Sequence, residues 1–206
     1  MLEADRFMIK EQVKFFKTAQ KYDIFDYETE EQLGTAEEKL SGLVQTLRWF
    51  LAKSWLPTTV VIRDHEDAVV FKIRRGAFFF QARVEVLNAD NEMIGYFKSK
   101  IFSFSGGFWV YDAKDKQFAE VKGNFFGFDY KVLTPDGEEL GRVSKKWGGA
   151  LKELFTSADT YMVDVAEDLS EQPVAKMLVL AAALAIDVIF KSENRGGVNV
   201  GGLDVG

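Results

Sequence analysis

One imidazole serves the whole chain of 206 residues. His65 sits in the polar run Arg63-Asp64-His65-Glu66-Asp67. It has no second imidazole with which to share a metal ion, and it reads as a turn residue. Cysteine is absent, which excludes a thiolate metal site, a disulfide framework and a cysteine nucleophile. The sequence holds no phosphate-cradling glycine loop, dinucleotide fingerprint or G-x-S-x-G turn. Carboxylates are plentiful, but Asp90, Asp112, Asp115 and Asp136 fall in short polar runs between apolar ones, where the side chain stabilises a turn. No acid/base pair stands out. Phe78, Phe79, Phe80, Phe102, Phe104, Phe108 and Trp109 could stack on bases, yet packing in a β core is the plainer use for them. These residues suggest binding; catalysis is the weaker reading.

The elements that must position them follow from a repeated phrase. Residues 86–100 read VLNADNEMIGYFKSK, 110–124 read VYDAKDKQFAEVKGN, and 132–146 read VLTPDGEELGRVSKK. Each is an apolar start, a polar turn, an apolar residue, a Gly or Ala (Gly95, Ala119, Gly141), then alternation into a basic residue. A weaker copy spans 25–39, with Leu33-Gly34 at the matching place. The repeats follow too closely for a crossover helix between parallel strands, so each is an antiparallel hairpin. Residues 7–16 fit either strand or short helix. The apolar spacing from Leu40 to Leu51 predicts a helix ended by Pro57. Residues 58–64 and 161–165 are β-rich, and Gly76 marks a break between strands.

The character changes at Pro173, which opens a helix over about 173–191. Met177 to Ile186 is uncharged and apolar all round, so this helix is buried in protein or in lipid. Its charge-free stretch is roughly 15 Å long, against about 30 Å for a bilayer core, and Lys176 and Asp187 bracket it. A protein core is the first reading. The architecture expected is a closed antiparallel β-barrel wrapped around this helix, which also removes edge strands. Met177, Leu178, Leu180, Leu184 and Ile186 are expected to fill the core, and Asp187 to need a cationic partner in the barrel wall. One domain is expected over 1–193, with a flexible Gly-rich tail over 194–206.

A hydrophobic content of 47% supplies enough apolar material for such a core. A formal net charge of −6 opposes general binding to nucleic acid or anionic membranes, although a local basic patch can override it. The lack of thiols fits a reducing intracellular compartment. Neither a signal peptide nor a full-length apolar span is read in the sequence.

Residues 141–190 carry a resemblance. They contain Gly141, Val143, Ser144, Lys145, Trp147 and Gly149 in a G-x-[IV]-S-K-x-W-x-G run. Phe155, Thr156, Ala158 and Asp159 follow, and then an apolar helix ending in Ile186, Asp187 and Phe190. This closely resembles the C-terminal part of phospholipid scramblases, and the likeness extends over about residues 5–193. That family belongs with the LURP-one-related and tubby C-terminal domains. The resemblance therefore implies a twelve-stranded barrel around a hydrophobic C-terminal helix. It also implies calcium-dependent movement of phospholipid between leaflets or binding to anionic lipid, with an anionic membrane surface as partner; the residues themselves call for no cofactor, and calcium enters only through the resemblance. The family's calcium segment maps onto Ser157, Asp159 and Asp168, with Ser157 where the family has Asp and no turn glycine between. Calcium needs several convergent oxygens, so the competing reading is a turn followed by a strand.

Headgroup contact would fall to Lys72, Arg74, Arg75, Arg142, Lys145 and Lys146, each of which could equally sit on a solvated strand face or in a local ion pair. Inserting the helix into lipid would empty the core, at about 1.5–3 kcal/mol per large side chain. It would also carry Asp187 into the bilayer, at roughly 2.5–3.5 kcal/mol. The sequence thus supports a non-catalytic, lipid-interacting module of the cytoplasm, peripheral on membranes. The alternative is a soluble ligand- or protein-binding regulatory module. Nucleic acid is not an expected partner.

Overall fold

Four hairpin turns are built by one piece of local chemistry, repeated at Asp64, Asn88, Asp112 and Thr134. In each, the first residue's backbone N–H donates to the carbonyl four residues on, at 2.8–3.0 Å. Its side-chain oxygen accepts from that residue's N–H: Asp64 from Ala68 at 2.9 Å, Asn88 from Glu92 at 2.9 Å, Asp112 from Lys116 at 2.9 Å, Thr134 from Glu138 at 3.0 Å. The residue between turns back with a positive φ: Asp67 at 67°, Asn91 at 67°, Asp115 at 61° and Gly137 at 93°. Asn, Asp and Gly are the residues that tolerate this conformation, so the repeat seen in the sequence is a turn specification. Asp90 and Asp136 are exposed within these turns and cap nothing.

The structure is a computed structural model describing residues 1–12, 19–39, 57–76, 83–99, 107–124, 128–145 and 160–186. The strands are β1 (Arg6–Glu11), β2 (Lys21–Asp26), β3 (Gln32–Lys39), β4 (Thr58–Asp64), β5 (Val69–Arg75) and β6 (Arg83–Asn88). They continue as β7 (Met93–Ser99), β8 (Phe108–Asp112), β9 (Gln117–Asn124), β10 (Asp129–Leu133), β11 (Glu139–Ser144) and β12 (Thr160–Val165). Of the segment left open between strand and helix, residues 7–11 belong to β1 and 13–16 lie outside the described residues. A single 3₁₀ turn (Glu167–Leu169) leads into α1 (Pro173–Ala185), where Pro173 occupies the first turn, a place that needs no backbone donor. Every strand pairs antiparallel with its sequence neighbours, and β1 closes on β12 through Phe7 opposite Val163. The result is the expected twelve-stranded closed barrel. The expected helix near 40–55, residues 187–191 and the 194–206 tail lie outside the described residues.

The barrel has two unlike ends. Five hairpin turns, residues 1–5 and residues 166–172 gather at one end, the turn end. At the other end, the rim, stand Glu11, Lys21, Lys39, Thr58, Arg75 and the corresponding ends of the remaining strands. The helix enters from the turn end. It packs against β5 and β7 as well as β11 and β12; β5 and β11 are six places apart in a ring of twelve, so the helix is enclosed. Residues Leu178 to Ile186 are each no more than 2% exposed. Two glycines of the repeat explain how the helix fits. A β-carbon on Gly95 would stand 2.8 Å from Leu178 Cδ2, and one on Gly141 would stand 2.9 Å from Val179 Cγ1. The repeat therefore omits side chains where the wall meets the helix. Met177 is only partly buried, at the mouth.

Candidate functional site

Period-two alternation sorts the six basic candidates. On β5 the residues Phe71, Ile73 and Arg75 face inward and Lys72 and Arg74 outward. Arg75 is 3% exposed, with Nη2 donating to Thr58 Oγ1 at 3.4 Å, so it is an interior residue and not a surface contact. Lys72 reaches the neighbouring turn, donating to Ala89 O at 3.2 Å and Asn91 Oδ1 at 2.6 Å. Arg74 bonds Glu85 Oε2 through Nε at 2.9 Å and Nη2 at 2.7 Å. Arg142, across the barrel on β11, makes a two-pronged pair with Asp129 at 2.9 and 2.8 Å, and this carboxylate raises the guanidinium's pKa. Lys145 is half-buried, its Nζ 4.8 Å from the centre of the Phe128 ring. Lys146 lies outside the described residues. The structure therefore does not bring the five described candidates together into one patch.

It assembles a different set. The exposed cations Lys10, Lys39, Arg74, Lys98, Lys122 and Lys131 each stand on the outer face within three residues of the rim, Lys131 directly opposite Lys122. Carboxylates on that half of the barrel (Glu11, Asp23, Glu37, Glu38, Glu85, Glu120 and Asp129) are half-buried or buried. Among the described residues, every exposed carboxylate lies at the turn end. Only Arg74 of the rim set was singled out from sequence. A signal for two of the others was present: Lys98 and Lys122 occupy the same place in two copies of the repeat, which puts them at the same height on their hairpins.

The turn end holds a cleft of about 520 Å³ lined by Asp5, Arg6, Asp26, Glu28, Asp164 and Glu167. Arg6 spans it, bonding Asp164 Oδ1 at 2.9 Å and Glu28 Oε1 at 2.7 Å, and stacks 4.5 Å from the Tyr27 ring centre. With its one cation already paired and carboxylates around it, this cleft repels phosphate. Beside it, Lys176 is 1% exposed and donates to Leu2 O at 2.8 Å and Ala4 O at 3.2 Å, while pairing with Asp5 Oδ1 at 2.7 Å. The ammonium holds the Asp5 carboxyl below the usual carboxylate range. The same carboxylate accepts from Ser170 Oγ at 3.0 Å. Residues 1–5 are thereby strapped to the helix entrance.

The calcium expectation meets a strand. Residues 160–165, inside the twelve-residue segment 157–168, form β12, which stretches about 17 Å at 3.3–3.4 Å per residue. Asp168 is exposed in the 3₁₀ turn beyond one end of that strand, while Ser157 and Asp159 precede the other end and lie outside the described residues. Among the described residues, no group of three or more His, Cys, Asp or Glu side chains could hold a metal ion. His65 is exposed in its turn, 4.0 Å from Glu66 Oε1.

Residues 2–193 match the family profile described as Scramblase. The chain belongs to the scramblase family. Human phospholipid scramblase 2 is 33% identical over 70 residues, covering 34% of this chain and 23% of that protein. Human phospholipid scramblase family member 5 is 24% identical over 122 residues, covering 56% of this chain and 44% of that one. Phospholipid scramblase 1 of Rattus norvegicus is 33% identical over 76 residues, 34% and 22% of the two chains. The matches thus span less than half the length of these curated relatives. An X-ray structure of a protein from Arabidopsis thaliana superposes with a TM-score of 0.49 at 12% identity, covering 88% of this scramblase-family chain and 93% of that one. No helix among the described residues is long and apolar enough to cross a membrane.

Proposed function

We propose that this scramblase-family barrel is a peripheral phospholipid-binding module that meets anionic lipid with its outer surface and keeps its apolar helix enclosed. One observation carries the reading: the helix side chains that would have to enter a bilayer are the core of the barrel, with Leu178 to Ile186 no more than 2% exposed. Each large side chain withdrawn from that core would forfeit about 1.5–3 kcal/mol, and the buried Lys176 would lose its three partners. Contact with lipid therefore falls to outward-facing cations. Any movement of lipid between leaflets proceeds without emptying the barrel.

Vesicle flotation tests this, using neutral vesicles and vesicles rich in phosphatidylserine across a salt series. Binding to the anionic vesicles that weakens with salt is the expected result. No binding under any condition would leave the alternative, a soluble ligand- or protein-binding module. Hydrogen exchange supplies the second reading. Amides of residues 178–186 should be equally protected on and off vesicles, and their exposure on the membrane would overturn the enclosed helix.

A further inference from the structure

Among the described residues, the exposed carboxylates lie at one end of the barrel and most exposed cations toward the other, and that division selects an orientation. We propose that the barrel docks end-on, rim toward an anionic lipid surface and turns toward water; this rests on the lipid-binding reading above and names the face that binds. Lys10, Lys39, Arg74, Lys98, Lys122 and Lys131 stand on β1, β3, β5, β7, β9 and β10, so they are spread around the rim and do not form one spot. Their partners stand no nearer the rim. Glu37, 2.9 Å from Lys39, and Glu120, 3.1 Å from Lys122, each lie two residues nearer the turns, and Glu85 sits directly opposite Arg74 across the β5–β6 ladder. Lys10 and Lys98 make no ion pair among the described residues. Arg83, at the rim end of β6, is not one of this set: its guanidinium turns away from the rim, 3.7 Å from the centre of the Tyr96 ring and with Nη2 2.8 Å from Met93 Sδ.

A net charge of −6 would repel an anionic surface if the charge were spread evenly. It is not, and distance favours the rim. Strands of five to eight residues separate the ends by roughly 17–26 Å, while the screening length at physiological salt is about 8 Å. A lipid surface at the rim feels the cations and is screened from the acidic turns.

The test compares two variants with the same change in charge. Each basic residue near an anionic surface is worth roughly fivefold in affinity. Lys10→Gln/Lys98→Gln/Lys122→Gln should weaken binding to phosphatidylserine vesicles by about a hundredfold. Arg63→Gln/Lys114→Gln/Lys116→Gln, all at the turn end, should stay within about threefold of the parent. Orientation is read separately from folding effects. The chain has no cysteine, so a polarity-sensitive dye can be placed on Gly76→Cys, beyond the rim end of β5 with open space around it, or on Ala113→Cys, exposed in a turn. The first should shift to the blue on vesicles and the second should not. Equal losses from the two triple variants, or a shift at position 113, would overturn end-on docking while leaving lipid binding intact. A parent protein that ignores anionic vesicles would overturn both. Equal binding to a short DNA duplex at matched phosphate concentration would assign the rim to polyanions at large and overturn the lipid assignment.

Discussion

Removing the ammonium of Lys176 should loosen the strap of residues 1–5 at the helix entrance. The group is 1% exposed and serves two carbonyls and one carboxylate. Lys176→Met keeps the length and apolar stem of the side chain, so little packing is lost. Breaking a buried pair costs about 3–5 kcal/mol when the remaining charge is stranded. The Asp5 side chain is 36% exposed and keeps Ser170 as a donor, so it can regain water and the expected loss falls to about 2 kcal/mol. Asp5→Asn strands the buried ammonium and should cost more, about 3 kcal/mol. The double variant should cost about 3 kcal/mol, because the second change removes an interaction that the first has already broken. Urea unfolding measures this. With a slope near the upper end of about 1–3 kcal/mol/M for a chain of this size, Lys176→Met lowers the midpoint by roughly 0.7 M and Asp5→Asn by about 1 M. The pH dependence has a definite sign. Asp5's folded pKa lies below its ordinary value of 3.8, so the pair's contribution is complete above that value and is lost as pH falls through the lower folded one. That acid limb should be missing in Lys176→Met. Additive single changes, or a Lys176→Met variant as stable as its parent at neutral pH, would refute the clasp.

Three further outcomes are expected. Gly95→Ala and Gly141→Ala should each destabilise by about 2 kcal/mol or more, because the new methyl group would stand 2.5 Å from Tyr111 O or 2.6 Å from Asp164 O; thermal melts check both. Leu184→Asp buries an unpaired charge at a site with 0% exposure and should abolish soluble folding, whereas Met177→Asp, at the mouth, should fold with reduced stability; expression followed by size exclusion separates the two. Asp112→Ala removes the acceptor of the Lys114 and Lys116 backbone N–H groups at 2.8 and 2.9 Å and should cost about 1 kcal/mol, measured as a shift in urea midpoint.

Much of the barrel was legible because its signals are local. An Asp or Asn at the head of a turn and a residue that accepts positive φ at its end sit within four positions, so the hairpins declare themselves. The enclosed helix was legible because a helix apolar on all faces has few places to go. What the sequence obscured was which side chains share a height. Arg74 and Arg75 are neighbours in sequence and read alike, yet one is solvated and the other is interior. Arg142 and Lys72 both looked available, and both are engaged with neighbours that lie 13 and 19 residues away. The rim is a sum over strands far apart in sequence, Lys10 on β1 and Lys122 on β9 among them. Only the register, fixed jointly by five turns and five register shifts, lines them up. The strand at 160–165 was legible from its β-rich residues, and its register makes it the wall that closes on β1.

The pairing of β1 with β12, and the arrival of α1 after both, has a consequence for synthesis. Hairpins β2–β3 to β10–β11 can form in the order in which they leave the ribosome. The barrel itself cannot close until Val163 meets Phe7, a contact spanning most of the chain and slow for that reason. The helix that fills it is translated later still. Throughout that interval the inward faces of Phe71, Phe97 and Phe108 have nothing to pack against, and the nascent strands expose the surface from which aggregates grow. A chain interrupted before Pro173 would hold all twelve strands with nothing for them to enclose.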